Sequence, residues 1–446
     1  MSEESLTPQE IEVAKKYDLT NKIIPFLDRH LVYPVVESLQ LTYDQKTVDG
    51  LFYELLKDTN IVKFVKEKYE SLNPGKEIPK ELLEKEEFVN SELVRLEELT
   101  NKTLDILSQK EVQENLKQDK SYNREYLSKE HGVTDEKVLE LYEFGKFQYN
   151  RGDYVMASDL LNNFRVLSTN NKLNISATWG RLVCEILSCE WDLTLEELSK
   201  LRELIDSRSF NADPLNQLYQ RTWLIHWYLF PFFNLENGLE KLSDLFLSSS
   251  YLSTIQASCP WILRYLIAAI VCLYSKQHSS PSYQKKLKDL IRIVSQEEYE
   301  YKDPLTEFMK ALYIDFDFET AKDKLVEVEI IIKTDFFLSN GATEFVSCAR
   351  HLISEVYCRV HNRIDLNQLT SSLNLSSKEE GEKWIATLIK DNKLIDAKIN
   401  ESDNTVIMNH TSEIQSNSVY QQIIEKTKGL SFRSNQILMA TIQKQE

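Results

Sequence analysis

Apolar residues recur at helical spacing through most of the chain, and one four-position series returns. Tyr154, Ala157, Leu161 and Phe164 follow one another at steps of three, four and three, in the order aromatic, small, leucine, apolar. Trp191, Thr194, Leu198 and Leu201 repeat the series. So do Leu235, Gly238, Leu242 and Leu245, and again Phe318, Ala321, Leu325 and Val328. Tyr283, Lys286, Leu290 and Ile293 form a degenerate copy, with lysine at the small position. These steps place all four residues on one helical face, and the small residue lets a neighbouring helix come close. Each series follows another helix that ends in a turn such as Asn150–Asp153 or Asp315–Asp317. Upstream of the first copy, Leu141, Phe144 and Gly145 approach tetratricopeptide spacing. Hairpins repeating every 35 to 48 residues cannot bury their faces alone and stack into a solenoid, predicted here over residues 135–340.

The pattern changes at its two ends. Thr343–His361 reads as a helix, Ile364 as a short strand, Leu366–Leu373 as a second helix, Asn374–Ser377 as a turn and Lys378–Asp391 as a third helix. Leu394–Ile399 and Thr405–Met408 then read as a hairpin across Asn400–Asn404. This is a winged helix over residues 341–410, expected to cap the open end of the solenoid. Beyond it, in residues 411–446, Ser418–Lys444 carries more apolar surface than a terminal segment needs and reads as an amphipathic helix. Residues 1–134 are helical too, broken at Asn73–Gly75 and Pro79. Within them Lys80–Lys120 is so charged, with sparse Leu93, Leu96, Leu104 and Leu107, that it reads as an exposed helix. The predicted fold is mainly α: a right-handed helical-hairpin solenoid, a winged helix and a C-terminal amphipathic helix.

Composition narrows the function. The 446 residues carry 70 acidic and 53 basic side chains, a formal charge of −17, so a bulk polyanion binder is excluded. Six cysteines without a CxxC pair point to reduced thiols in the cytosol or nucleus. No apolar run is long enough for a membrane span, and MSEESLTPQE has neither region of a signal peptide. P-loop, GxGxxG, HExxH and GxSxG patterns are absent, so no enzyme, cofactor or small-molecule substrate is expected.

The winged helix invites a DNA reading that its charges oppose. The segment that would meet base edges is Lys378-Glu379-Glu380-Gly381-Glu382, and Arg363 to His410 holds six basic against eight acidic residues. Ser377 with Glu380 makes a capping box instead. The wing offers a backbone edge on which another chain's strand can pair, with Ile395, Ala397 and Ile399 opposite Val406 and Met408. Tyr420, Ile423, Ile424, Leu430, Phe432 and Leu438 are the candidate contacts of the tail. Four basic and two acidic residues in 418–446 leave direct RNA binding by the tail as a competing reading.

Other clusters read as structural. Cys348-x-x-His351 and Cys358-x-x-His361 lie about 15 Å apart along one helix and cannot share a metal. Cys184 and Cys189 read as core. Asp28-Arg29-His30 would point in three directions on a helix, so it reads as a surface or interface network, with Arg29 and His30 as N-terminal contacts. His226, within Thr222-Trp223-Leu224-Ile225-His226-Trp227, is expected to hydrogen-bond inside an aromatic helix–helix contact.

Helical repeats ending in a winged helix resemble the PCI module of the proteasome lid, the signalosome and eukaryotic translation initiation factor 3. Residues choose among them. Tyr17-Asp18-Leu19-Thr20 and Phe26-Leu27-Asp28-Arg29-His30-Leu31-Val32 resemble the N-terminal signature of the e-subunit family of that factor. Similarity continues through Lys146-Phe147-Gln148-Tyr149, Phe164-Arg165-Val166-Leu167 and Gln220–Trp227. It extends to Tyr301-Lys302-Asp303-Pro304, Asp335-Phe336-Phe337-Leu338 and Tyr420–Ser434, and so covers nearly the whole chain. Met1–Lys16 precedes the family pattern, and roles of a longer C-terminal extension are not expected. The resemblance implies a PCI helical part from about residue 215 and a non-catalytic, cytoplasmic scaffold. Its implied partners are other PCI subunits joined through their wings, the d subunit, the small ribosomal subunit and the cap-complex scaffold protein. It implies no membrane and no sequence-specific DNA.

Overall fold

The computed structural model describes residues 6–115, 119–207, 214–277, 280–361, 363–365, 383, 397–400, 405–408 and 412–442. Apart from Lys383, the predicted second and third helices of the winged domain lie outside the described residues, as does Ile395. The chain forms two compact units, Met1–Glu307 with Leu325–Val346 and Phe308–Lys324 with Ser347–Glu446. The protein is mainly α, as the periodicity predicts.

In the first unit, the N-terminal region comprises α1 (Pro8–Lys16), α2 (Thr20–Ile23), α3 (Arg29–Ser38), α4 (Gln45–Leu56), α5 (Val62–Leu72), α6 (Lys80–Leu107), α7 (Lys110–Asn115) and α8 (Lys120–Glu130). Thr7 and Glu10 close a capping box over α1, with Pro8 in its first turn. The hairpins follow: α9 (Asp135–Arg151) with α10 (Tyr154–Leu167), α11 (Asn171–Leu187) with α12 (Trp191–Ser207), and α13 (Pro214–Asn234) with α14 (Gly238–Phe246). Next come α15 (Ser249–Ser258), α16 (Leu263–Gln277) and α17 (Pro281–Glu297). From α9 to α14 each helix packs on the next, which is the solenoid arrangement. The turn at Asn150–Asp153 forms as expected. Gly152 takes a left-handed φ of 94°, and Asp153 then caps α10 by accepting from the Met156 N–H at 3.3 Å.

The repeated small position proves to be a packing position. Ala157, Thr194 and Gly238 are all buried. A Cβ on Gly238 would lie 2.0 Å from the Phe232 carbonyl oxygen, so only glycine fits there. The degenerate copy solves the same problem differently. Lys286 stays 8% exposed, and its ammonium reaches Ser243 Oγ at 2.9 Å and Asp244 Oδ1 at 2.7 Å on α14.

Two expectations need correcting here. Helix α6 is not an exposed spacer: Leu82, Val89, Leu96, Thr103 and Leu107 form a narrow buried stripe, and the helix packs on α9. Leu82, Val89, Leu96 and Thr103 are seven apart, but a threonine among them hides the stripe from an apolar count. Cys189 is not core. Helix α11 stops at Leu187, and Cys189 is exposed at a left-handed φ of 59° in the turn before Trp191. No glycine marks that stop, so the helical phase runs on unbroken in the sequence. Cys184 is buried as expected.

Helices α18 (Pro304–Lys310), α19 (Phe318–Thr334) and α20 (Ala342–Val360) divide their residues between the two units. In the second unit, the turn at Asp315–Asp317 carries Phe316 at a left-handed φ of 54°, and Asp317 caps α19 through the Glu319 and Thr320 N–H groups. Phe318 meets Tyr357 edge-on at 4.9 Å. Cys348 and Cys358 are buried, and burial pushes the Cys358 thiol up to about 12. Strands β1 (Arg363–Asp365), β2 (Ala397–Asn400) and β3 (Thr405–Met408) form an antiparallel sheet in the order β1-β3-β2. The last element is α21 (Ser412–Ile442).

His226 sits in an aromatic contact, as its sequence context predicts. Phe26 stacks on its ring at 4.7 Å, and the Trp261 indole N–H donates to Nε2 at 3.1 Å. An indole can only donate, so Nε2 must accept, and the proton on Nδ1 goes to the Thr222 carbonyl at 2.7 Å. Burial lowers the imidazole pKa from 6.5 to about 4.

Two outcomes follow for stability. Gly238→Ala is expected to destabilise the protein by about 2 kcal/mol or more, measured by urea unfolding. An unfolded histidine titrates near 6.5 and folded His226 near 4. The stability it contributes is therefore complete above pH 6.5 and is lost as pH falls through about 4, a change of about 3 kcal/mol. Urea melts across that range should show this component in the native protein and not in His226→Gln.

Candidate functional site

With no catalytic constellation in the sequence, the candidate sites are contact surfaces. Most of the N-terminal signature faces inward instead. Asp28 caps α3 by accepting from the His30 N–H at 2.9 Å, and the same oxygen accepts from the Tyr149 hydroxyl. His30 is only 3% exposed, its ring 4.4 Å from that of Tyr149 and its Nδ1 3.0 Å from the Tyr154 hydroxyl. Burial lowers the His30 pKa against the opposing pull of Asp28, and so favours the neutral ring. The surface-contact reading of His30 is thus corrected, because its partners lie 119 to 124 positions away and could not be read from neighbours. Arg29 does face solvent and pairs with Asp58 at 3.1 Å. The segment before Asp28 is also held inward, as a strap across the helices. Trp227 donates its indole N–H to the Phe26 carbonyl at 3.0 Å, and Arg264 donates to the Tyr17 carbonyl at 2.7 Å.

The wing forms, but only part of the expected edge lies on an edge strand. Ala397 pairs with Met408 and Ile399 with Val406, but Ile364 also pairs with Val406. Strand β3 therefore lies in the middle, and Val406 and Met408 belong to the central strand rather than to an edge. Ile364 marks a strand in the sequence, yet nothing local says which partner it takes. Among the described strands both β1 and β2 are edges, and β2 is the one that carries the expected Ala397 and Ile399.

The long helix α21 carries the largest apolar exposure. Tyr420, Ile423, Ile424, Leu430, Phe432, Ile437 and Leu438 are between 51% and 68% exposed. At 100° per residue, all but Phe432 fall within an arc of about 140°. Phe432 lies on the far side, so the helix presents apolar groups in more than one direction. That suits a helix surrounded by others better than one lying on a flat surface. No single described helix is long and apolar enough to cross a membrane.

Comparisons with known proteins place these features. The PCI domain model matches residues 329–410, covering the wing. The model described as "eIF3 subunit 6 N terminal domain" matches residues 18–148. A third model, the C-terminal one of the E-subunit of eukaryotic translation initiation factor 3, matches residues 418–439. The E-subunit of that factor from Yarrowia lipolytica is 52% identical over 426 residues, covering 95% of this chain and 98% of the relative. This chain belongs to the E-subunit family of eukaryotic translation initiation factor 3. The Aspergillus oryzae member is 50% identical over 434 residues, 97% of this chain and 94% of the relative. That of Emericella nidulans is 49% identical over 424 residues, 95% and 93%. In this E-subunit chain the N-terminal match begins within the strap that Arg264, Trp227 and Tyr149 hold. The C-terminal match covers all seven exposed tail residues and ends one residue after Leu438.

The inward and outward faces of the signature make opposite expectations. His30→Ala should cost about 2 kcal/mol of unfolding free energy, through a cavity and an orphaned Tyr154 hydroxyl, whereas Arg29→Ala should stay within about 0.5 kcal/mol. Equal effects in urea unfolding would contradict the strap.

Proposed function

We propose that this E-subunit chain is a non-catalytic, cytoplasmic scaffold of translation initiation factor 3. It binds other PCI subunits edge to edge through β2, and α21 enters a helical bundle shared with them. The d subunit docks on the PCI region, and the assembly helps bring mRNA and initiator tRNA complexes to the small ribosomal subunit. The cap-complex scaffold protein is a further contact. The working division is an N-terminal helical region (1–134), a solenoid (135–340), a winged helix (341–410) and a helical tail (411–446).

The observation that carries this reading is the apolar exposure of α21 inside the stretch that matches the family's C-terminal model. A contiguous apolar face left in water is a contact waiting for a partner. Direct RNA binding is favoured only by exposed Lys426, Lys428 and Arg433 on the same helix.

Deleting residues 418–446, or replacing Ile423 and Ile424 together with aspartate, should release the chain from the affinity-purified factor. The unfolding midpoint of the isolated chain should not change, because these side chains are already in water. Undiminished co-purification of both variants would remove the tail as an interface. Tight RNA binding by the isolated chain, with log K falling linearly in log salt, would favour the RNA reading instead.

A further inference from the structure

Three successive hairpins hold an aromatic groove that the contact surfaces above do not use. First helices of consecutive hairpins line it: Tyr142 and Tyr149 from α9, Trp179 from α11, Trp223 and Trp227 from α13. Trp179 meets Trp227 edge-on at 4.7 Å and Trp223 at 6.2 Å, so the indoles form walls at steep angles. The strap adds Asp28 to the lining. Its volume of about 250 Å³ is below the usual range for a small-molecule pocket, and suits a single long side chain.

Charge decides what that side chain is. Asp28 Oδ1 is fully engaged by the His30 N–H and the Tyr149 hydroxyl. Its Oδ2 takes no partner among the described residues, which leaves one carboxylate oxygen for a ligand. Indole faces attract cations, and a guanidinium both stacks on them and donates to a carboxylate. Trp227 has already given its N–H to Phe26, so it can offer only its ring. Lys146, also in the lining, is exposed and forms no ion pair with Asp28 among the described residues, so its charge stays in solvent. The apolar surface then leads away along α13. Tyr219 and Leu215, at steps of four before Trp223, are 63% and 61% exposed.

The geometry points to a docking groove for an arginine side chain borne on an extended segment of a partner protein. Its guanidinium lies against the exposed ring surfaces of Trp179 and Trp223 and donates to Asp28 Oδ2, while neighbouring apolar residues follow Tyr219 and Leu215. A stacked nucleobase is the weaker match, because its phosphates would approach a carboxylate on a chain of net charge −17. The inference does not depend on the role of the tail.

The test uses the full chain and three fluorescein-labelled nine-residue peptides, uncharged except at a central arginine, lysine or citrulline. Fluorescence anisotropy should show the arginine peptide binding about tenfold or more tightly than the citrulline peptide, with lysine between them. Asp28→Asn keeps both the cap and the acceptor for Tyr149 but removes the charge, and should lower affinity for the arginine peptide by a similar factor. Trp179→Ala should lower it as well, and Lys146→Ala should not. Thermal unfolding of each variant separates lost binding from lost folding. Equal binding of the arginine and citrulline peptides, or no saturable binding of any peptide, overturns the proposal. So does an oligouridine that competes for the groove and loses affinity in Lys146→Ala.

Discussion

One buried guanidinium organises the first unit. Arg264 is 2% exposed, yet it carries a charge that must be compensated in place. Asp303 accepts from its Nε at 3.2 Å and from its Nη2, Asp335 accepts from Nη1 at 3.3 Å, and the Tyr17 carbonyl accepts from Nη2 at 2.7 Å. Burial works against the arginine charge, but Asp303, Tyr301 and Asp335 outweigh it and raise its pKa. Burial likewise pushes the Asp335 carboxyl up, while Arg264, the Phe337 N–H and the Tyr265 hydroxyl pull it down. Removing any one partner would leave another buried charge or dipole without an answer. Segments near residues 17, 264, 303 and 335 are therefore obliged to meet, and the helices carrying them are fixed with them.

That obligation explains the strap. Once Tyr17 is tied to Arg264, the chain runs past Phe26, held by Trp227 and stacked on His226, to Asp28 and His30, held by Tyr149 and Tyr154. The N-terminal signature thus spans helices α9, α13 and α16, and most of its polar contacts, apart from Asp28 Oδ2 and Arg29, hold the fold together. Its specificity as a sequence pattern reflects this internal fit. Contact surfaces must be sought elsewhere, where apolar or polar groups still face water, on α21 and in the aromatic groove.

Much of the architecture was legible because it is local. The three-four-three series reports the buried face of single helices, and it located α10, α12 and α14 together with the close approach at Gly238. Lys286 broke the pattern in sequence but not in space, since its stem is buried and its charge leaves toward Asp244. What stayed hidden depends on distant pairs. Nothing near His30 announces Tyr154, 124 positions away, and nothing near Ile364 says that β3 will sit between two strands. Asp28 looked like one of three divergent surface groups, yet Tyr149 makes it part of a groove. The stripe of α6 was missed because threonines at positions 100 and 103 fill core positions through their methyl groups, with the Thr100 hydroxyl returned to the Leu96 carbonyl.

Magnitudes decide how the tail can act on the proposed reading. Six or seven side chains already about half in water can gain roughly 1–2 kcal/mol each on burial, on the order of 10 kcal/mol together. Association alone costs about 4–15 kcal/mol, and part of the helix must be ordered as well. The tail by itself therefore sits near balance, and its affinity is set by what else is engaged. A second contact on the same partner turns it into an effectively intramolecular event, with a gain of about a hundredfold or more and no further buried area. The outer edge of β2 can supply that contact with backbone groups alone, which makes few demands on side chains. Two weak surfaces on one chain, each insufficient and together sufficient, are what a scaffold needs if it must reject partners that match only one of them.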